Sequence, residues 1–283
     1  MPIVLSHYQA KPLLEAWSRG ASQAATSVDL NRSEVEAALE PAGVRYTGGE
    51  LLGWDDLRRV TEEASVCFGL TDAGLVKVQE YSESASHLVS LMPTPRAPTM
   101  LLSGIPMHRI KGIDPWEDTQ RKIRAVAPVV GKVLDTTMGL GYSALQAAES
   151  GGEVTTIEVD PTVVRIARRN PWSAPLFTHP RVTMLEGSSL DLAPELPTGA
   201  FSRILHDPPT FSLAGELYSG AFYRELYRVL SRSGRLFHYI GDLESISGRV
   251  VAKGATRRLL EAGFEKVQRR PEAFALVAYK GGP

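Results

Sequence analysis

The chain has 283 residues, 43% of them hydrophobic and 22% charged, with a formal net charge of −1. These values exclude a disordered, collagen-like or coiled-coil chain, and no apolar run reaches the roughly 18–20 residues a spanning helix needs. Cys67 is the single cysteine, so neither an internal disulfide nor a thiolate metal cluster can form.

Residues 1–5 are too short and uncharged to read as a secretory signal, so a cytoplasmic protein is expected. Residues 1–113 carry 10 Lys+Arg against 13 Asp+Glu, and the rest 21 against 19. Neither part has the strongly basic footprint of a protein that holds nucleic acid by phosphate contacts alone.

Residues 1–92 read as a small mixed α/β domain for substrate shaping or dimerisation. Leu13, Leu14 and Trp17 share a helical face, and Ser33 reads as the cap of a short helix through Leu39. Val44-Arg45-Tyr46 and Leu51-Leu52 flank Gly48-Gly49 in a hairpin pattern. Trp54, Leu57, Val60 and Ala64 follow helical spacing. Strands are expected over 66–70 and 75–81, around Thr71-Asp72-Ala73-Gly74. The segment 93–113 opens with three prolines in six residues, which neither a helix nor a central strand accommodates. It reads as a stiff connector between the small domain and a larger one over 114–283.

Asp114-Pro115-Trp116-Glu117 has the signature of a helix start, with Asp at the N-cap and Pro in the first turn. Strands over 133–134, 154–159, 182–185, 201–205 and 235–239 alternate with helices near 143–148, 163–169 and 216–230. A helix over 249–262 precedes a closing strand pair, 264–269 and 273–279. This alternation predicts a mostly parallel sheet covered by helices on both faces, with an antiparallel edge.

The first of these strands runs into Asp135-Thr136-Thr137-Met138-Gly139-Leu140-Gly141. Gly139 and Gly141 permit a tight turn and a close backbone approach. Asp135 places a carboxylate there, which harms a pyrophosphate site and helps a ligand carrying a sulfonium and an ammonium. Glu158, at the end of the next strand, sits where a carboxylate accepts both ribose hydroxyls. The fourth strand ends in Asp207-Pro208-Pro209-Thr210-Phe211. Its prolines have no N–H, so carbonyls and the Asp207 carboxylate face a ligand amine, and Phe211 suits stacking on its ring.

These segments resemble class I S-adenosylmethionine-dependent methyltransferases over residues 114–283. The resemblance implies a Rossmann-like seven-stranded sheet, mostly parallel with an antiparallel edge. Asp135, Thr137, Gly139 and Gly141 match the first motif of that family and Glu158 its ribose acid. Ser188 or Asp191 stands for the acid that contacts adenine. Asp207, Pro208 and Phe211 match the catalytic loop of enzymes that methylate planar nitrogens. The implied cofactor is S-adenosyl-L-methionine, with S-adenosyl-L-homocysteine as product. The implied acceptor is an RNA base or a heterocyclic small molecule, and no metal is implied. Thr137 replaces a frequent glycine, and the aromatic residue comes one position late. A second resemblance, over Leu217-Tyr218-Ser219-Gly220-Ala221-Phe222-Tyr223 and 230–234, is to spermidine synthases, which transfer an aminopropyl group from decarboxylated S-adenosylmethionine. That alternative stands beside the first, and a homo-oligomer is compatible with both.

Other reactive side chains read as structural. Alternation along the strand points His206 away from Asp207. His108 and Lys111 precede the first catalytic-domain helix and are candidates to border the pocket. Cys67 lies far from the motifs, which argues against ring-carbon methylation through a cysteine nucleophile. Arg165, Arg168, Arg169, Arg257 and Arg258 read as solvated helix faces.

Overall fold

The structure is a computed structural model and describes residues 3–211 and 214–281. The chain forms two compact units, residues 1–116 with 162–174, and residues 117–161 with 175–283. Among the described residues no helix is long and apolar enough to cross a membrane.

In the first unit, β1 (Val4–Leu5) pairs with β6 (Phe68–Thr71), and β6 with β7 (Gly74–Lys77). A second sheet takes the order β2 (Gln23–Thr26), β3 (Val35–Glu40), β4 (Gly43–Arg45), β5 (Leu51–Leu52). A third sheet contains β8 (Gln79–Ser82), β9 (His87–Met92), β10 (Thr99–Leu102) and β11 (Ile105–Pro106). Helices α1 (His7–Ser18) and α2 (Trp54–Glu62) contribute Leu13, Leu57 and Val60 to a core shared with Leu39, Val44 and Phe68. Ser6 and Gln9 close a capping box on α1, satisfying backbone donors that a helix start leaves open.

Two expectations for this region change. The helix expected after Ser33 is strand β3. Its Ala37 and Leu39 are buried at alternate positions, and β2 and β4 pair on either side. Ser33 instead donates to the Asp29 carboxylate. Short apolar runs fit helix and strand alike, and pairing on both edges decided. The proline-rich stretch joins β9 to β10, which pair directly across it (Met92 with Thr99), so it lies inside the first unit.

The second unit is built on one seven-stranded sheet. Its strands are β12 (Lys132–Asp135), β13 (Glu153–Glu158), β14 (Val182–Glu186), β15 (Phe201–His206), β16 (Leu230–Tyr239), β17 (Lys266–Arg270) and β18 (Ala275–Lys280). Their order is β14-β13-β12-β15-β16-β18-β17. The first five run parallel, and β18 is antiparallel to β16 and to β17. Helices α3 (Pro115–Val126), α4 (Tyr142–Glu149), α6 (Ser189–Leu192), α7 (Gly220–Val229) and α8 (Ile246–Glu261) alternate with the strands, whereas α5 (Pro161–Arg169), which follows β13 in the chain, groups with the first unit. Asp114 accepts from the Trp116 N–H at the start of α3, as its sequence signature requires. Phe222, Leu226 and Val229 of α7 pack with Leu236 of β16 and Leu259 of α8 in the main core.

The order reverses between β12 and β15. A crevice opens at such a reversal, outside the carboxyl ends of the strands, and ligands bind there in open α/β sheets.

Candidate active site

At the reversal, the loops after β12 and β15 are tied together. The Thr136 N–H donates to the Leu205 carbonyl at 3.0 Å, and the Thr137 hydroxyl to the Asp207 carbonyl at 2.9 Å. The glycine-turn motif and the Asp-Pro-Pro motif, 70 residues apart in sequence, therefore form one rim. Beside it lies a cleft of about 290 Å³ lined by Thr136, Thr137, Ile157, Glu158, Gly187, Ser188, Leu190 and Glu216 among others. Its charged lining residues are both acidic.

Glu158 reaches the cleft from the end of β13. Its Oε2 accepts from the Gly139 N–H at 2.9 Å, and its Oε1 from the N–H groups of Val159 and Asp160 at 3.0 Å. Burial pushes its carboxyl above the ordinary range, against the pull of these donors. A carboxylate offers about four acceptor sites, so three backbone donors fix its plane and leave capacity for a hydroxyl.

Asp135 is fully buried beneath the turn and does not line the cleft. Its Oδ2 accepts from the Thr156 and Ser143 hydroxyls at 2.9 and 3.2 Å, while Oδ1 has no hydrogen-bond partner. Burial, and then the nearby Asp207 charge, push its pKa up to about 7. Hydrogen bonds from Thr156, Ser143 and the Thr137 backbone pull it the other way, and a nearby positive charge would favour the ionised form.

Gly139 and Gly141 have φ of +54° and +74°, where L side chains are strained. A Cβ on Gly141 would lie 2.3 Å from Leu176 Cδ2. The need for glycine there comes from packing as well as from the turn, beyond the close ligand approach expected from sequence. Ser188 lines the cleft, with its hydroxyl accepting from the Leu190 N–H as the cap of α6. Asp191 is exposed and does not line it.

Asp207 is met by a residue the motifs did not mark. Lys122 Nζ of α3 stands 2.5 Å from Asp207 Oδ2 and 3.4 Å from Asp118 Oδ2, and 4.6 Å from the centre of the Tyr239 ring. Lys122 is 3% exposed, Asp118 0% and Asp207 19%. Burial alone would lower the Lys122 pKa, yet the Asp207 and Asp118 carboxylates, with Tyr239, raise it above the ordinary value. The ammonium is therefore charged at neutral pH. Its sequence signal was a Lys four residues after an Asp on the face of α3 that also buries Thr119, Ile123 and Val126. A charged pair on a buried helix face needs a further polar partner.

Pro208 is buried, and the Pro209 carbonyl accepts from the Tyr218 hydroxyl at 3.1 Å. Phe211 is exposed and meets Tyr218 edge to face, with centroids 5.4 Å apart and planes at 75°. Below this loop His206 is fully buried. Its Nε2 faces the Leu217 carbonyl at 3.0 Å and must carry the proton, so Nδ1 accepts from the Thr136 hydroxyl at 2.7 Å. Burial lowers its pKa to about 4, so it is a neutral strut. His238 is 4.5 Å away ring to ring, bonded to the Tyr223 hydroxyl, with burial holding its pKa well below the usual value.

In the first unit, His108 Nδ1 shares a hydrogen bond with the Thr99 hydroxyl, and Lys111 is exposed. Cys67 is buried, with its thiol pKa pushed well up by burial. The arginines read as solvated are partly engaged: Arg165 pairs with Glu80, Arg169 bonds the Lys77 carbonyl, and Arg258 bonds the Tyr218 carbonyl.

No family model matches the chain. It is 35% identical over 284 residues to the uncharacterized protein MJ1233 of Methanocaldococcus jannaschii, covering 98% of this chain and 96% of that protein. The chain belongs to the same family as this archaeal protein. Over 132 residues it is 30% identical to polyamine aminopropyltransferase 2 of Streptomyces coelicolor. That match covers 42% of this chain but only 24% of the relative's length. Among solved structures, a spermidine synthase in complex with the transition-state analogue AdoDATO superposes with a TM-score of 0.59 at 19% identity. It covers 71% of this chain and 72% of the other. The shared element is the fold, an α/β arrangement with a large, mostly parallel sheet.

Proposed function

We propose that this protein is an S-adenosylmethionine-dependent methyltransferase acting on a planar nitrogen of a nucleobase or similar heterocycle. The observation that carries the reading is the set of three carboxylates, Asp135, Glu158 and Asp207, at the ends of neighbouring strands around the reversal of strand order. The unpartnered Asp135 Oδ1 and the acidic cleft favour a cationic ligand, and the donor set fits an adenosyl sulfonium with its ammonium and ribose.

When bound, the cofactor supplies an electrophilic methyl group. Glu158 would accept the ribose hydroxyls, its plane held by Gly139, Val159 and Asp160. Asp135 would act from below through its field, with Thr137 and Ser188 along the wall. Gly139 and Gly141 shape the turn, and Asp191 stands outside the wall. Asp207 and the Pro208 carbonyl would accept the hydrogens of the acceptor amine, turn its lone pair toward the donor and take up the proton it sheds. Phe211, braced by Tyr218, would hold the ring plane. Alignment is the main contribution, since holding reactants in line removes much of the entropic barrier.

A second reading, aminopropyl transfer from the decarboxylated cofactor to an amine, draws on the local likeness to the Streptomyces enzyme. Parallel calorimetric titrations with S-adenosylmethionine, S-adenosylhomocysteine, the decarboxylated cofactor and NAD separate the two. Tight binding of the first two, with the third much weaker, is expected. Preference for the decarboxylated form would replace the first reading by the second, and binding of NAD alone would overturn both.

A further inference from the structure

A second concavity of the catalytic unit, a groove of about 570 Å³, runs along α3 beside β16 and β17. It is lined by Arg121, Arg124, Arg235 and Arg270, with Glu117 and Glu272. Four guanidiniums against two carboxylates leave an excess of two positive charges, in a chain whose total is −1. The groove is therefore opposite in sign to the chain as a whole. Arginine suits such a place, because its planar fork matches phosphate oxygens two at a time.

The forks are held in place. Arg121 pairs with Glu117 at 2.8 Å, and Arg124 Nε donates to the Gln120 carbonyl at 3.3 Å. Arg235 donates to the Ala127 carbonyl and lies 5.8 Å from the centre of the Tyr279 ring. Arg270 Nη2 donates to Gln268 and to the Tyr279 hydroxyl. These bonds use one or two of the five N–H groups on each guanidinium, so each fork is oriented and keeps donors for a ligand.

One face of β16 runs from the groove toward the Lys122–Asp207 pair. Arg235 and Tyr239 lie on one face of β16, four residues and about 13 Å apart along the strand. The Tyr239 ring faces Lys122, which pairs with Asp207. Phosphates of one nucleic-acid strand recur about every 3.4 Å along a stacked helix, so this span matches a few nucleotides and exceeds a single one.

We propose that the arginine groove binds the phosphodiester backbone of a nucleic-acid strand and delivers one of its bases to Asp207. The delivery step rests on the nitrogen-methylation reading, whereas backbone binding does not. Binding is tested without turnover by fluorescence anisotropy of a labelled short single-stranded RNA, with an unlabelled mononucleotide and inorganic phosphate as competitors. The comparison is between wild type and an Arg121→Gln/Arg270→Gln double variant, at several salt concentrations. The RNA should bind at least tenfold more tightly than the mononucleotide. Its affinity should fall with salt with a logarithmic slope of about −0.7 per phosphate contact, and the double variant should lose about 1.4 of that slope. S-adenosylhomocysteine affinity should stay within twofold, which certifies the fold of the variant. Equal binding of the mononucleotide through the same arginines would overturn the polynucleotide assignment, and RNA binding unchanged in the variant, or absent, would overturn the site. Failure of S-adenosylhomocysteine to bind wild type would count against the methylation reading alone.

Discussion

Lys122 Nζ stands 2.5 Å from Asp207 Oδ2, so the carboxylate of the Asp-Pro-Pro loop is held by a buried ammonium from α3. The pair joins a helix and a strand end 85 residues apart in sequence. It fixes the direction of Asp207 before any acceptor arrives, and Asp118 and Tyr239 hold the lysine in turn.

Removing the ammonium should therefore damage both stability and turnover. Lys122→Met leaves two carboxylates without their buried cation, which costs about 3–5 kcal/mol. A denaturant titration should show that loss, and Lys122→Met/Asp207→Asn should recover part of it. A single variant as stable as wild type would deny the pair its structural role.

Asp207→Ala should abolish turnover while S-adenosylhomocysteine affinity stays within a few fold, because Asp207 does not line the cleft that holds Glu158 and Ser188. Calorimetry on the variant is the check. A large loss of cofactor affinity would move Asp207 from acceptor alignment to cofactor binding.

Asp135 predicts a pH dependence of both stability and binding. Its pKa is about 7 in the fold, against an ordinary 3.8. The folded state binds the proton more tightly, so this group's contribution to stability is full below about pH 4 and is lost as pH rises through about 7. Asp135→Asn should thus gain stability relative to wild type at pH 8 compared with pH 5, read from denaturation midpoints. His206 runs the other way. Its pKa is lowered to about 4, so its contribution is present above about 6.5 and is lost as pH falls toward 4, in wild type and variant alike.

The same proton opposes a cationic cofactor. Affinity for S-adenosylmethionine should fall by up to tenfold per unit as pH drops below about 7 and be level above it. In Asp135→Asn it should be weaker and flat across that range. A wild-type profile flat from pH 5.5 to 8 would mean that Asp135 does not sense the ligand.

Gly141→Ala should be destabilising by about 2–4 kcal/mol, from left-handed backbone strain and overpacking against Leu176. A double-mutant cycle with Leu176→Ala separates the two, since it relieves the clash and leaves the backbone strain. Additive effects would place the whole cost in the backbone.

Much of the second unit was legible in the sequence. Alternating apolar runs marked its strands, because a strand buried on both faces is a short apolar segment with few alternatives. Carboxylates and glycines at strand ends marked the rim, because backbone geometry restricts which residues turn there. The first unit was harder to read. Val35–Glu40 carries no local preference strong enough to choose, and pairing with β2 and β4 made it a strand.

By itself, then, the sequence determined which residues end the strands and what charges they bring. That follows from local sterics and from a hydrophobic period that each segment carries alone. Only the tertiary structure decided the neighbours of those residues. It set Lys122 against Asp207, Gly141 under Leu176, Asp135 out of the cleft and four arginines along one groove. These relations join segments distant in the chain, and their energies come from burial and charge that exist only after the sheet has formed.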